Sequence, residues 1–212
     1  MIVKDARGLG PRTYAGHDAA CVDRLTPRRA GWRSAAVAAC FLLVLVSSAC
    51  SGGSTAGEEE RDADRTLAVA LQAHSEGLID EAADLYERVL VLDPRNKFAY
   101  YNLGLIEQTR GFDDEAVAAY REALAIDPSF VPALFNLAVL QAEQGMADEA
   151  ISLYRTVIDT NEDHAAAHLN LGFLLLDTGH RSQGRAELGR ATELDPSLVS
   201  RIPAGTLGVL DH

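Results

Sequence analysis

The sequence predicts an all-α fold made of four antiparallel helix pairs, and three observations carry that prediction. Gly77, Gly111, Gly145 and Gly179 stand 34 residues apart without exception. Asp93-Pro94, Asp127-Pro128 and Asp195-Pro196 keep the same spacing, with Glu162 in the one place that lacks the proline. Glu81-Ala82, Glu115-Ala116 and Glu149-Ala150 follow it as well, and Gln183-Gly184 takes the fourth place. Self-similarity at a fixed spacing of this size is the mark of a stacked repeat. The units are residues 63–96, 97–130, 131–164 and 165–198.

Each unit holds two stretches whose apolar residues recur at helical spacing. In the second unit Tyr100, Leu103 and Gly104 mark the first helix, and Ala116, Tyr120, Ala123 and Leu124 mark the second. The periodic glycine near the end of each first helix can adopt a left-handed conformation and stop it. The proline that closes a unit cannot continue a helix, and the Asp before it is steered away from the α region. Small residues at Ala70, Gly104, Ala138 and Gly172 let the paired helices approach closely. Short loops then make neighbouring helices antiparallel. Beyond the last unit, Pro203, Gly205 and Gly208 argue against a long capping helix in 199–212, and Leu198, Val199 and Ile202 are the candidates to cover the final repeat.

Upstream of the repeats the composition changes. Arg28, Arg29 and Arg33 precede an uncharged apolar run over 35–46, followed by Ser47-Ser48-Ala49-Cys50. A basic region, a short apolar core and small residues form the layout of a secretory signal. The run is shorter than the ~20 residues a membrane-spanning helix needs. Residues 1–49 are read as an N-terminal extension with a signal or anchor segment. Residues 50–62 are read as a flexible acidic tether, from Ser51-Gly52-Gly53-Ser54 and Glu58-Glu59-Glu60-Arg61-Asp62.

Charge excludes one class of partner. Of the 19 Lys/Arg and 31 Asp/Glu, seven and three fall in residues 1–49, which leaves 12 against 28 and a net of −16 for the remainder. A surface so acidic, with no basic stripe, repels a phosphate backbone, so no nucleic-acid partner is expected. The three cysteines (Cys21, Cys40 and Cys50) all precede the repeats, which therefore have no disulfide framework and no thiolate metal site.

The second unit, with Tyr100, Leu103-Gly104, Gly111, Ala116, Tyr120, Ala123 and Pro128, resembles the tetratricopeptide repeat; Glu107 stands where an aromatic is usual. The resemblance extends over 63–198 and implies a right-handed solenoid whose first helices line a concave groove. It implies a protein or peptide partner, no catalysis, no cofactor and no metal. The groove residues it points to are the amide row Asn102, Asn136 and Asn170, beside Tyr101 and Phe135 and then Leu105, Val139 and Phe173. Stacked amides could clamp an extended backbone, offering donor and acceptor together; a packing role for the same asparagines stays open, as does one between repeats for the apolar residues. The Lys/Arg set with which some relatives grip a terminal carboxylate is missing.

Ser48-Ala49-Cys50 is similar to the lipobox of bacterial lipoproteins, although Ser47 stands where that family places an aliphatic residue. The resemblance implies lipidation of Cys50 and a membrane-anchored protein in a bacterial cell envelope, facing outside the cytoplasm. An uncleaved anchor, an ordinary cleaved signal and a self-associating structural role as a homo-oligomer are the alternatives. His164 and His168 are four apart, a spacing that can hold zinc on one helix face, but here they read as packing or surface residues.

Overall fold

The computed structural model of the protein describes residues 55–207; Cys50, the apolar run 35–46 and the start of the expected tether lie outside the described residues. Eight α-helices follow in order among those residues: α1 Thr55–Ser75, α2 Ile79–Leu92, α3 Lys97–Arg110, α4 Asp113–Ile126, α5 Val131–Glu143, α6 Ala147–Thr160, α7 Ala165–Asp177 and α8 Arg181–Leu194. A short 3₁₀ helix, Pro196–Arg201, comes after them. Each odd-numbered helix packs on the even-numbered one that follows it, and each pair packs on the next. The result is a solenoid of four antiparallel pairs.

The periodic glycines end the first helices as their spacing foretold. Gly77, Gly111 and Gly145 have φ of 80° and Gly179 has 87°. In α3 the Gly111 N–H donates to the Gln108 carbonyl at 3.1 Å and the Phe112 N–H to the Glu107 carbonyl at 2.9 Å. This pair of bonds satisfies carbonyls left open at a helix end, and it recurs in all four repeats.

The junctions between repeats use a device that is independent of proline. Asp93, Asp127, Asn161 and Asp195 are extended, and each side-chain oxygen accepts from the backbone N–H two residues on, at 3.0, 3.0, 3.2 and 3.0 Å. Such a turn breaks the helix by offering the backbone another partner. The third repeat therefore keeps its turn with Glu162 in place of proline. Lys97, at 2.5 Å, and the Ser129 donors hold the Asp127 carboxyl below the ordinary carboxylate range.

Within a pair, a large side chain from the second helix lies on a small residue of the first. The Tyr120 ring covers Gly104, where a Cβ would stand only 2.6 Å from Tyr120 Cε1. Tyr86 and Tyr154 share cores with Ala70 and Ala138 in the same way. Burial pushes the Tyr86 phenol up to about 12, and raises Tyr120 and Tyr154 too, so these hydroxyls stay neutral. The fourth repeat departs in two places at once. Leu188 replaces the tyrosine, and Gly184 replaces alanine where a Cβ would come within 2.7 Å of the Gly172 carbonyl oxygen. The smaller side chain lets α7 and α8 close backbone to backbone, which only glycine permits.

Between pairs, Ala99, Leu103 and Ile106 of α3 complete the core of the first repeat. Ala133, Leu137 and Leu140 of α5 do so for the second, and Ala167, Leu171 and Leu174 of α7 for the third. The matching places in α1 are Arg65, Val69 and Gln72, all exposed, so the stack ends on a mainly polar face. At the other end Leu198 is buried, and Ile202 and Leu207 pack on Leu169, Phe173, Leu188 and Ala191. Leu198 and Ile202 thus cover the last repeat as expected, whereas Val199 is exposed. One expectation is corrected. α1 begins at Thr55, so 55–62 is helical rather than a flexible tether. Glu58 favours the positive end of that helix, and Arg61 Nε donates to the Gly57 carbonyl at 2.7 Å.

Two glycines of α8 should respond oppositely to the same change. Gly184→Ala drives a methyl group into backbone and should cost about 1–3 kcal/mol. Gly189 has open space around it, so Gly189→Ala should stabilise by about 0.5–1 kcal/mol. Denaturant midpoints of the two variants measure this, and shifts of the same sign would contradict the close approach of α7 and α8.

Candidate functional site

Residues 34 apart on the first helices share one face, and that face carries the expected groove residues. Its working unit, in the second and third repeats, is a ring contact between a first helix and the residue that caps the next first helix. Tyr101 of α3 meets Phe130, the N-cap residue of α5, edge to face at 5.4 Å between centroids. Phe135 of α5 stacks on His164, the N-cap residue of α7, at 4.9 Å. Leu169 of α7 shares a core with Leu198 at the terminal cap. From the second repeat onward, the row is therefore built jointly by a first helix and a residue that follows its pair.

Phe98 extends this row outward. It meets Phe130 edge to face at 5.6 Å, yet remains 46% exposed. Lys97 Nζ lies 5.3 Å from the Phe98 centroid and 5.0 Å from that of Phe130, and the same ammonium bonds Asp127. A cation over two ring faces orients both rings. Neither Phe98, Lys97 nor Phe130 was singled out from the sequence. The available signal was a break in pattern: the places matching Phe98 hold Asp64, Pro132 and Ala166.

The amide row is arranged differently from the displayed ladder that was expected. Asn102 is 9% exposed and its Nδ2 donates to the Phe98 carbonyl of its own helix at 2.7 Å. Asn170 is 3% exposed; its Nδ2 donates to the Tyr154 hydroxyl at 3.3 Å, and its Oδ1 has no partner among the described residues. Only Asn136 is half-buried, donating to the Tyr101 hydroxyl at 3.3 Å. The places differ in depth: Asn102 is turned back onto its own helix, and Asn170 is closed in against Tyr154 of the preceding pair.

The apolar row is corrected in a similar sense. Val139 and Phe173 are buried in the cores at the third-to-fourth junction and at the terminal cap. Leu105, Tyr101 and Phe135 pack against cores but keep partial exposure. A first helix must bury one side on the preceding pair and another on its own partner, which leaves only a narrow strip for solvent.

The histidine pair is engaged in packing. His164 Nδ1 accepts from the Ala167 N–H at 3.1 Å, capping α7. Burial, helped by nearby His168, lowers the His164 pKa and favours the neutral ring this cap requires. His168 is buried, with Nδ1 2.7 Å from Glu187 Oε2 and Nε2 3.0 Å from the Glu162 carbonyl. The two rings thus point to separate partners. Among the described residues no group of three His, Cys, Asp or Glu is gathered as a metal site.

What this face presents is ring edges, one half-exposed amide and aliphatic surface, a set suited to holding an extended chain. Comparison with known proteins agrees on the architecture. No curated protein sequence matches the chain. Among solved structures, MamA is similar with a TM-score of 0.59 at 21% identity, over 68% of this chain and 84% of that one. A pilF protein of Pseudomonas aeruginosa superposes with a TM-score of 0.58 at 21% identity, over 66% of this chain and 64% of that one. TTC0263, a thermophilic TPR protein of Thermus thermophilus, gives 0.52 at 22% identity, over 68% and 79%. At such identities the likeness speaks for the fold. Residues 66–202, most of the repeat region and its cap, match the family described as the cilia and flagella-associated protein 70 middle TPR-like domain, and the chain belongs to that family.

Proposed function

We propose that the repeat region is a protein-interaction scaffold that seats an extended segment of a partner protein on the first-helix face. Phe98, Tyr101, Phe135 and Asn136 are the contacts, with Leu105 beside them. The observation that carries this reading is Phe98. A large ring held by Phe130 and Lys97, yet 46% exposed, is a preformed anchor. Aromatic anchors fixed before binding cost little side-chain entropy when the partner arrives. Asn136 retains donor and acceptor capacity beside it, while Asn102 supports the site from behind by tying the turn that carries Phe98. Asn170 and Phe173 serve the same face from within the packed junction.

Membrane tethering is the second part of the proposal. Cys50, behind a basic and apolar leader, carries a lipid that holds the protein outside the cytoplasm of a bacterial cell. Two acyl chains on one residue suffice for stable anchoring. Support comes from the order of residues in 28–50 and from the Gly/Ser segment that follows.

Each part has its own test. A photo-crosslinking residue at position 98, used in cells, should give a discrete adduct that the same residue at Val91, on the second helix of the first repeat, does not. Tyr101→Ala with Asn136→Ala should lower its yield at least about tenfold, as loss of anchor contacts would. Equal adducts from both sites would contradict the groove assignment. Intact mass of the membrane-purified protein should show a chain starting at Cys50 and carrying acyl groups. An unmodified Cys50, or a start before it, would rule out lipidation.

A further inference from the structure

The turns between paired helices carry a second surface that the first-helix face does not use. Leu78, Phe112 and Met146 hold the same place in three successive repeats, one residue past the left-handed glycine and at the N-terminal cap of α2, α4 and α6. None makes a side-chain hydrogen bond to the helix it caps, though Ser, Thr, Asp or Asn would do so there. An apolar residue just past such a glycine is favoured when it packs on an apolar side chain near the helix end. In the second and third repeats the place identified by the turn bond holds Glu107 and Gln141, and the apolar residues one position earlier, Ile106 and Leu140, are already buried in the cores. Leu78 is left 47% exposed and Phe112 53%, while Met146 is half-buried. Packing on the helix ends therefore still leaves much of Leu78 and Phe112 in solvent.

Carboxylates flank it. Asp80 and Glu81 open α2, Asp113, Asp114 and Glu115 open α4, and Asp148 and Glu149 open α6, all of them exposed. Acids are favourable at a helix N-terminus, but that end offers only about half an elementary charge. Two or three carboxylates at each helix exceed it several times over. Arg110 pairs with Asp80 and Glu107, while the other six acids form no ion pair among the described residues. The fourth repeat breaks both rows, with His180 at the apolar place and Arg181, Ser182 and Gln183 at the acidic ones.

We propose that this edge, across the first three repeats, docks a basic amphipathic segment of a partner protein. Its apolar side chains cover Leu78, Phe112 and Met146, and its Arg or Lys residues lie among the carboxylates. Charge complementarity selects this occupant. An anionic lipid surface would be repelled, and a second copy of the same edge would set like charges face to face. His180 and Arg181 fix where the footprint stops.

A synthetic helical peptide with a leucine stripe flanked by arginines, titrated calorimetrically into the full-length protein, tests the proposal. Leu78→Ser with Phe112→Ser should weaken binding at least about tenfold, and so should Asp114→Asn with Glu115→Gln and Glu149→Gln. Phe98→Ala, on the other face, should leave the affinity unchanged. Circular dichroism melts establish that the variants fold; if the serine pair does not fold, the exposed charge set alone decides the matter. Affinities within about twofold of the parent for the charge variant would overturn the proposal. So would equal binding of a peptide with serine in place of leucine, or a matching loss in Phe98→Ala. Binding of phosphatidylglycerol vesicles that is abolished by the serine pair would overturn it in favour of a membrane.

Discussion

The contact on which the structure depends is the one each repeat makes with the repeat before it. Ala99, Leu103 and Ile106 finish the first core, and the same places in α5 and α7 finish the second and third. No pair can bury its apolar surface alone, so each borrows a face from its neighbour. A stack built this way has two ends, each without one neighbour. At the start, Arg65 and Gln72 stand where alanine and isoleucine stand one repeat later. At the finish, Leu198, Ile202 and Leu207 supply what a fifth pair would have supplied. The opening face, with Val69 exposed between Arg65 and Gln72, stays open to solvent, whereas the finish is covered.

The same contact explains which residues of the first helices remain to bind. Junction packing takes Val139, Phe173, Asn102 and Asn170 out of solvent. It leaves Phe98 displayed, and it holds Tyr101 and Phe135 against Phe130 and His164, the N-cap residues of the next first helices. Binding surface and structural surface are therefore neighbouring strips of one helix. The rings that would meet a partner are the outer members of stacks whose inner members close the junctions. The proposed binding surface is thus fixed by packing in advance, which would favour a partner that arrives extended and adapts to it.

Much of the fold was legible in the residues because a repeat states each rule several times. The glycines at 77, 111, 145 and 179 announced helix ends, and all four carry the left-handed bonds their spacing implied. The proline signal was incomplete, since the turn belongs to Asp93, Asp127, Asn161 and Asp195, whose side-chain acceptors persist where proline is lost. The acidic run before the first repeat has the composition of a linker, yet it continues α1 because nothing in it breaks a helix after Gly57. The site was less legible. A periodic row shows which residues share a face but not how deep that face lies, and depth separated Asn136 from Asn102 and Asn170. Phe98 escaped notice because it is aperiodic, and a search for periods passes over what occurs once.

Closure of the C-terminal end is the point where the fold and the placing of partners meet. Hydrogen–deuterium exchange along the full-length chain examines it directly. If residues 196–207 seal the stack, the amides of α7, buried on all sides from Ala167 to Leu175, should be among the slowest to exchange, with the first turns of α1 the fastest among the helices. Exchange in α7 as fast as in the opening turns of α1 would show an unsealed end and contradict the closed solenoid.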